Sequence, residues 1–383
     1  MDMKQIYGLV NTATQEVLGE SGLIKEDLSN LVDIGNAIFD NNAMDSYVRS
    51  LVNHIGRVIF VDRVYRGSAP SVLMDGWEFG SVLEKIQVEM PEASQNDSWE
   101  LTDGSSYDPN VFYKPEVSAK FFNKRVTFEV DMSFTELQVK QSFSNGTQLA
   151  GFTSMLRNAV ENSMTVKIDS LIMKTINNMI AETAYDLSSA GSYGTGNTRA
   201  VNLLTLYNAM VSPDISASDA LTDPGFIRFA AYTMGVFESR LSKISTLFNV
   251  GGKARFTPSD RLHVVLLSDF AKAADVYLQS DTFHNEFTAL PDAEVVPYWQ
   301  GSGTDYSFTN TGKIVVTTAS GHDVTFTGIL GVMFDRDALG VANLDRRVTT
   351  NYNPKGEFFN NFYKFEAGYF NDLNENFVVF YVA

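Results

Sequence analysis

The spacing of hydrophobic positions changes several times along this chain, and each change marks an element. Residues 1–43 show short helical pieces broken at Gly and Asn. A firmer helix is predicted over Asp45–Ile55, closed by Gly56, and "RVIFVDRVY" (57–65) is strand-like. In "KIQVEM", Ile86, Val88 and Met90 alternate with Lys85, Gln87 and Glu89. In "KRVTFEVDM", Val126, Phe128, Val130 and Met132 alternate with Thr127, Glu129 and Asp131. Period two predicts a half-buried antiparallel pair. The polar stretch between them, 91–117, far exceeds the usual hairpin loop of about 2–5 residues. Such a hairpin cannot cover both faces with its own chain, so it is expected to reach out to something else.

From Thr147 to about Thr183 the step becomes three and four. Phe152, Leu156, Ala159, Val160, Met164, Ile168, Leu171, Ile172, Ile176, Met179 and Ile180 share a face, and Asn145-Gly146 precede as a start signal. This predicts one helix of roughly 55 Å, unusually long for a globular domain. A Gly/Ser break at 184–199 marks a domain boundary. The rhythm after it is α/β: a helix near 200–210, a helix from the Asp223-Pro224 cap to about Phe248, a buried strand "LHVVLL" (262–267), a helix capped by Ser268 or Asp269, and strands at 293–299, 313–318, 323–334 and 339–344.

The end of the chain is aromatic. Between Phe359 and Tyr369 the odd positions, Phe359, Tyr363, Phe365 and Tyr369 among them, form an aromatic face. "NDLNEN" turns the chain, and "FVVFYV" (377–382) is apolar on both faces. An unbroken apolar strand belongs inside a sheet or under a helix. The long helix is the expected partner, with the 190–340 block inserted between helix and tail.

Composition narrows the function. Forty-six acids against 29 bases leave a net charge of −17, which argues against a general nucleic-acid binder. There is no cysteine, hence no disulfide framework, thiolate nucleophile or Cys-ligated metal. The N-terminus lacks the basic and apolar regions of a signal peptide, and no run approaches the ~18 apolar residues of a membrane span.

Candidate chemistry is sparse. His54, His263, His284 and His322 show no metal-ligand spacing, and His263, opening an apolar strand, is expected to be buried and hydrogen-bonded. "GHD" (321–323) reads as a turn. The Gly-rich runs at 191–199 and 249–258 lack phosphate-loop spacing, and "AGSYG" is not a nucleophile elbow. Asp335 and Asp337 could share a metal, although a solvated turn is the simpler reading. No catalytic, cofactor or metal constellation emerges, and the chain is not expected to be an enzyme.

The order of parts resembles the major capsid protein of tailed double-stranded DNA phages, the Hong Kong 97-like fold. "DSYVRSLVNHIGRVIFVDRVY" followed by "WEFGSVLEKIQVEM" looks like the entry to the extended hairpin in phi29-type short-tailed phages. "TTNYNPKGEFFNNFYKFEAGYFNDLNENFVVF" is similar to their final segment. The resemblance implies an α+β fold with an N-terminal arm (1–60), an extended loop (61–133), a peripheral domain (134–189) with a spine helix (147–183), an inserted axial domain (190–340) and peripheral return strands (341–383). No appended decoration domain and no charged scaffold-like extension is expected.

The function so implied is self-assembly into hexamers and pentamers of an icosahedral shell around packaged double-stranded DNA, bound without sequence specificity. Implied partners are a scaffolding protein, a portal and decoration proteins, and no membrane. Implied localisation is the virion, after assembly in the host bacterial cytoplasm. Trp77, Phe79, Trp99, Tyr107, Phe112 and Tyr113, in or beside the hairpin, are the expected interface anchors. An acidic inner wall would not clutch phosphate. Some members cross-link through a Lys–Asn isopeptide bond, but no motif here selects such a pair. The alternatives are an encapsulin-type nanocompartment shell on the same fold, an enzyme using the 190–340 block with Asp335, Asp337 and His322, or another virion component such as a tail or fibre protein.

Overall fold

The computed structural model describes residues 3–19, 30–40, 43, 46–47, 49–50, 69, 72–74, 83–91, 93, 99, 102–142, 146–186, 198–279, 293–300, 311–318 and 321–383. In chain order these form helices α1 (Met3–Leu18) and α2 (Leu31–Asp40), then strands β1 (Leu73–Met74), β2 (Leu83–Val88), β3 (Val117–Phe122) and β4 (Arg125–Thr135). Helices α3 (Glu136–Ser142) and α4 (Gly146–Asp186) follow. Next come β5 (Ala200–Asn202), α5 (Leu203–Asn208), α6 (Pro224–Leu241), β6 (Leu262–Leu267), α7 (Ser268–Gln279) and β7 (Glu294–Val296). The chain closes with β8 (Ile314–Thr317), β9 (Asp323–Phe326), β10 (Ile329–Asp335), β11 (Leu339–Asn353), β12 (Phe358–Asn371) and β13 (Phe377–Tyr381). Most of the helix expected over 45–55, the strand at 57–65 and most of the Gly/Ser break lie outside the described residues.

The predicted long helix is α4, unbroken over 41 residues and about 60 Å long at the helical rise. Leu156, Val160, Met164, Ile168, Leu171, Ile172, Ile176, Met179 and Ile180 are buried along it. Ala159, expected on the same face, is exposed.

Contacts divide the chain into two units. The first comprises Met1–Gly76, Arg125–Lys174 and Val341–Gly368. Its sheet runs β1-β11-β12-β4, with β4 and β12 antiparallel from Phe358↔Thr135 to Gly368↔Arg125. The aromatic row falls inward as far as Ala367: Phe359, Tyr363, Phe365 and Ala367 are buried, but past Gly368 the alternation breaks, leaving Tyr369, expected on the same face, half-buried while Phe370 is buried. Asn361 interrupts that row, yet its side chain donates to the Met132 carbonyl at 3.3 Å and accepts from Thr350 Oγ1 at 3.1 Å. The β11–β12 turn is closed by Asn353, whose Oδ1 accepts from Lys355 N and Gly356 N.

The second unit comprises Trp77–Lys124, Thr175–Gly340 and Tyr369–Ala383. Its five-stranded sheet has the order β5-β13-β10-β6-β7. Helix α6 starts as predicted: Pro224 opens it and the Asp223 carboxylate accepts from Phe226 N at 2.6 Å. It stops at Leu241, short of Phe248. Phe226, Met234 and Phe237 join Leu266, Leu330 and Phe380 in one hydrophobic cluster, and Phe237 meets Phe380 edge-on at 5.4 Å. The helix expected at 200–210 resolves into β5 and the single turn and a half of α5.

Two expectations change here. The apolar strand 377–382 does not share a sheet with the aromatic strand before it. β13 pairs parallel with β5 and antiparallel with β10, inside the second unit's sheet. A strand apolar on both faces needs partners at both edges and cover on both sides, and this sheet interior supplies them. The 341–383 return is therefore divided, β12 pairing with β4 and β13 with β5 and β10. Likewise, "KIQVEM" does not pair with "KRVTFEVDM". β2 pairs with β3, and β4 is taken by β12.

Candidate functional site

The groups singled out for chemistry have structural roles. Asp335 is buried and accepts from Thr257 Oγ1 at 2.7 Å and from Asp337 N at 2.9 Å. Asn376 Nδ2 donates to the same Thr257 hydroxyl at 3.1 Å. The Asp337 carboxylate pairs with Arg261. His322 sits in the β8–β9 turn, its ring stacked 4.4 Å from Tyr185. Burial pushes the His263 imidazole below its ordinary pKa. Contrary to expectation it is half-buried and its Nε2 has no hydrogen-bond partner among the described residues; the Phe334 ring lies 5.7 Å away between centroids, and Glu294, Arg336 and Asp335 act on it only through their charge. No acidic or histidine cluster able to hold a metal occurs among the described residues.

Side chains converge instead at the β2–β3 ribbon. Its register sets Leu83 opposite Phe122, Lys85 opposite Lys120 and Val88 opposite Val117. The polar row of β2 points inward. Lys85 Nζ reaches Asp372 Oδ2 at 2.9 Å and Glu375 Oε1 at 2.6 Å, and donates to the Asp337 carbonyl at 3.2 Å. Lys120 Nζ takes the other Asp372 oxygen at 2.7 Å. Gln87 donates to Glu375 and accepts from Arg255. At the ribbon's outer end Lys253 pairs with Glu89 at 2.5 Å, which holds that carboxyl below its ordinary pKa.

The acceptors are presented by the turn between β12 and β13. Asp372 N donates to the Ala338 carbonyl at 2.7 Å, and its Oδ1 accepts from Asn374 N at 3.0 Å. The Asp372 side chain is fully out of solvent. Burial alone would push its carboxyl upward. The hydrogen bonds from Lys120 and Lys85 and the lysine charge outweigh this and leave it below the ordinary value. A buried carboxylate without such partners would be strongly unfavourable.

Because the polar row is satisfied inside, the apolar row is left outside. Ile86, Val88, Met90, Val117 and Phe121 are 57–64% exposed. This inverts the usual sense of an amphipathic strand. Alternation shows only that two faces differ, and here the ionic partners on the second unit decide which face turns in. At the ribbon's tip Trp99, Phe112 and Tyr113 are 83–87% exposed. Tyr107 is less so, its hydroxyl oxygen accepting from Thr102 N at 3.3 Å. Trp77 and Phe79 lie outside the described residues.

Lys85, Lys120, Asp372, Glu375 and Arg255 were not singled out in the sequence. One signal was available: "VSAKFF" (117–122) sets Val117, Ala119 and Phe121 against Ser118 and Lys120 with the same period as "KIQVEM". Nothing local ties either lysine to Asp372, which lies 287 residues beyond Lys85 and 252 beyond Lys120.

A family model described as Phi29-like phage major capsid protein matches residues 10–381. No curated protein matches the chain. Among solved structures, similarity extends to the capsid structure of Staphylococcus phage Andhra, with 9% identity, a TM-score of 0.51 and coverage of 84% of this chain and 86% of that one. It extends equally to a chain in the structure of the head fiber and inner core protein gp22 of native bacteriophage P68, with 10% identity, a TM-score of 0.51 and the same coverage. At such identities the likeness is one of fold.

Proposed function

The chain belongs to the Phi29-like phage major capsid protein family and is a shell-forming protein of the phage virion; on that premise we propose that the β2–β3 ribbon is the element by which each subunit engages its neighbours. The observation that carries this is the ribbon's inverted polarity. Its charged row is anchored at home, and its apolar row and aromatic tip face solvent in the single chain. Exposed apolar area of this kind marks a contact surface. A heterologous contact repeated around an axis closes into rings. The rings are hexamers and pentamers, and they build an icosahedral shell around double-stranded DNA held without sequence-specific contacts.

In this reading Trp99, Tyr107, Phe112 and Tyr113 anchor the contact together with Ile86, Val88 and Phe121, and Trp77 and Phe79 join them on sequence grounds. Residues 1–60 act as an arm and 61–133 as the extended loop. Residues 134–189 and the strands β11 and β12 form the peripheral domain. Residues 190–340 form the axial domain, to which β13 is added by its pairing. The role is structural, with no reaction of its own. A scaffolding protein, a portal and decoration proteins are the further partners, and assembly takes place in the host cytoplasm before DNA enters. The net charge of −17 favours an inner wall along which DNA slides during filling.

Negative-stain electron microscopy of the protein, expressed alone and with a candidate scaffolding protein, tests this reading. Closed shells or six- and five-membered rings are expected. A monodisperse single subunit under both conditions would overturn it.

A further inference from the structure

Helix α6 of the second unit carries an open groove of about 610 Å³ on the side away from its buried face. Val236 and Phe248 supply apolar walls, and Tyr232, Ile244, Arg240 and Lys243 stand around them. Tyr232 is 65% exposed and Ile244 41%. The Arg240 guanidinium lies 5.2 Å from the centroid of the Phe237 ring, a cation–π contact that holds its charge against the helix surface. Among the described residues, two cations and no acid line this groove, on a chain with 46 acids against 29 bases. An apolar cleft with a locally inverted charge suits a partner that is itself aromatic and acidic.

The chain contains such a segment. In the sequence between β2 and β3, residues 91–116 carry Glu92, Asp97, Glu100, Asp103, Asp108 and Glu116 against the single base Lys114. Trp99, Phe112 and Tyr113 project from it almost fully exposed. They do not fill the groove of their own chain. We infer that the α6 groove of one subunit receives the ribbon tip of a second copy, aromatic rings entering between Tyr232 and Phe248 while Arg240 and Lys243 face the acids of the tip. This rests on the proposed role of the ribbon in assembly and names the surface that receives it. Aromatic anchors in a desolvated cleft supply most of such a contact's energy. The charges set its direction, so that tip meets groove and groove does not meet groove.

The absence of cysteine makes a pairwise test clean. Asn110→Cys on the tip and Ser239→Cys at the groove are combined in one chain and oxidised under assembly conditions. A ladder of linked subunits on a non-reducing denaturing gel is expected from the pair and from neither single variant. Shells that form without a ladder, or a disulfide confined within single chains, overturn the inference. A second arm reverses charge: Arg240→Glu with Lys243→Glu should cut the yield of sedimenting shells at least tenfold. Adding Asp103→Lys and Asp108→Lys should restore it. Wild-type yield from the groove variant alone overturns the inference, and loss without restoration overturns the second copy as the occupant. If the groove variant lacks a cooperative thermal transition, the cysteine pair, which reverses no charge, decides. Failure of the unmodified chain to oligomerise at all would instead overturn the assembly reading.

Discussion

Lys85 and Lys120 stand directly opposite each other across the β2–β3 ribbon, and each ends on a different oxygen of Asp372. Like charges at directly opposed positions destabilise an antiparallel pair. Here a carboxylate from the β12–β13 turn sits between them and reverses the sign of the interaction. The ribbon's register, and the face it turns outward, thus depend on a residue that is not part of it.

Removing that carboxylate should free the ribbon before it disturbs the sheet behind it. Asp372→Ala is expected to cost about 1.5–3 kcal/mol, the range for hydrogen bonds to charged groups. Hydrogen exchange should accelerate at 83–91 and 117–122 while β10 and β13 keep their protection. Uniform acceleration over all of these strands would refute a local role.

Acid should act at the same place. The Asp372 carboxyl is held below its ordinary value, so the folded state favours its ionised form. Its contribution is complete above the unfolded carboxylate's pKa of about 3.9, and it is lost as pH falls from there through the lower folded value. Exchange at the ribbon should therefore rise steeply below about pH 4. Asp372→Asn should remove that step, and an identical acid profile in the variant would assign it to other groups.

The outward row offers a separation of stability from assembly. Ile86→Asp with Phe121→Asp alters side chains that are 61% and 64% exposed. The thermal transition of the unassembled subunit should stay within about 0.5 kcal/mol of the original. Shells and rings should disappear from electron micrographs. A large loss of subunit stability would mean that this face is covered within the chain.

Asp335 serves as a buried acceptor. Asp335→Ala leaves the Thr257 hydroxyl and the Asp337 amide without their carboxylate, a cost of about 1–3 kcal/mol by denaturant titration. A chelator should leave the unfolding midpoint unchanged. A shift of that midpoint would reinstate a metal at Asp335 and Asp337.

The last strand can be tested through its neighbour. Gly328 has φ +71°, and a Cβ there would lie 1.9 Å from the Val382 carbonyl oxygen. The left-handed conformation alone costs a non-glycine residue about 1–2 kcal/mol, and the clash adds to it. Gly328→Ala should therefore lower the unfolding midpoint clearly. A neutral result would show that β13 is not held at its end.

Local sterics and periodicity were enough to mark the long helix over nearly all of Gly146–Asp186, the Asp223-Pro224 start of α6, and the inward set of β12 as far as Ala367. Each depends on neighbours within a few residues, whose rotamers and hydrogen bonds act wherever the segment lies. Pairing is different. β13 could complete any sheet with two free edges, and β2 could have met β4 as readily as β3, because an alternating strand has no intrinsic partner. The outward turn of Ile86, Val88 and Phe121 was also beyond sequence reading. Alternation specifies two unlike faces, and only Asp372 and Glu375, brought close by the tertiary fold, made the charged face the buried one.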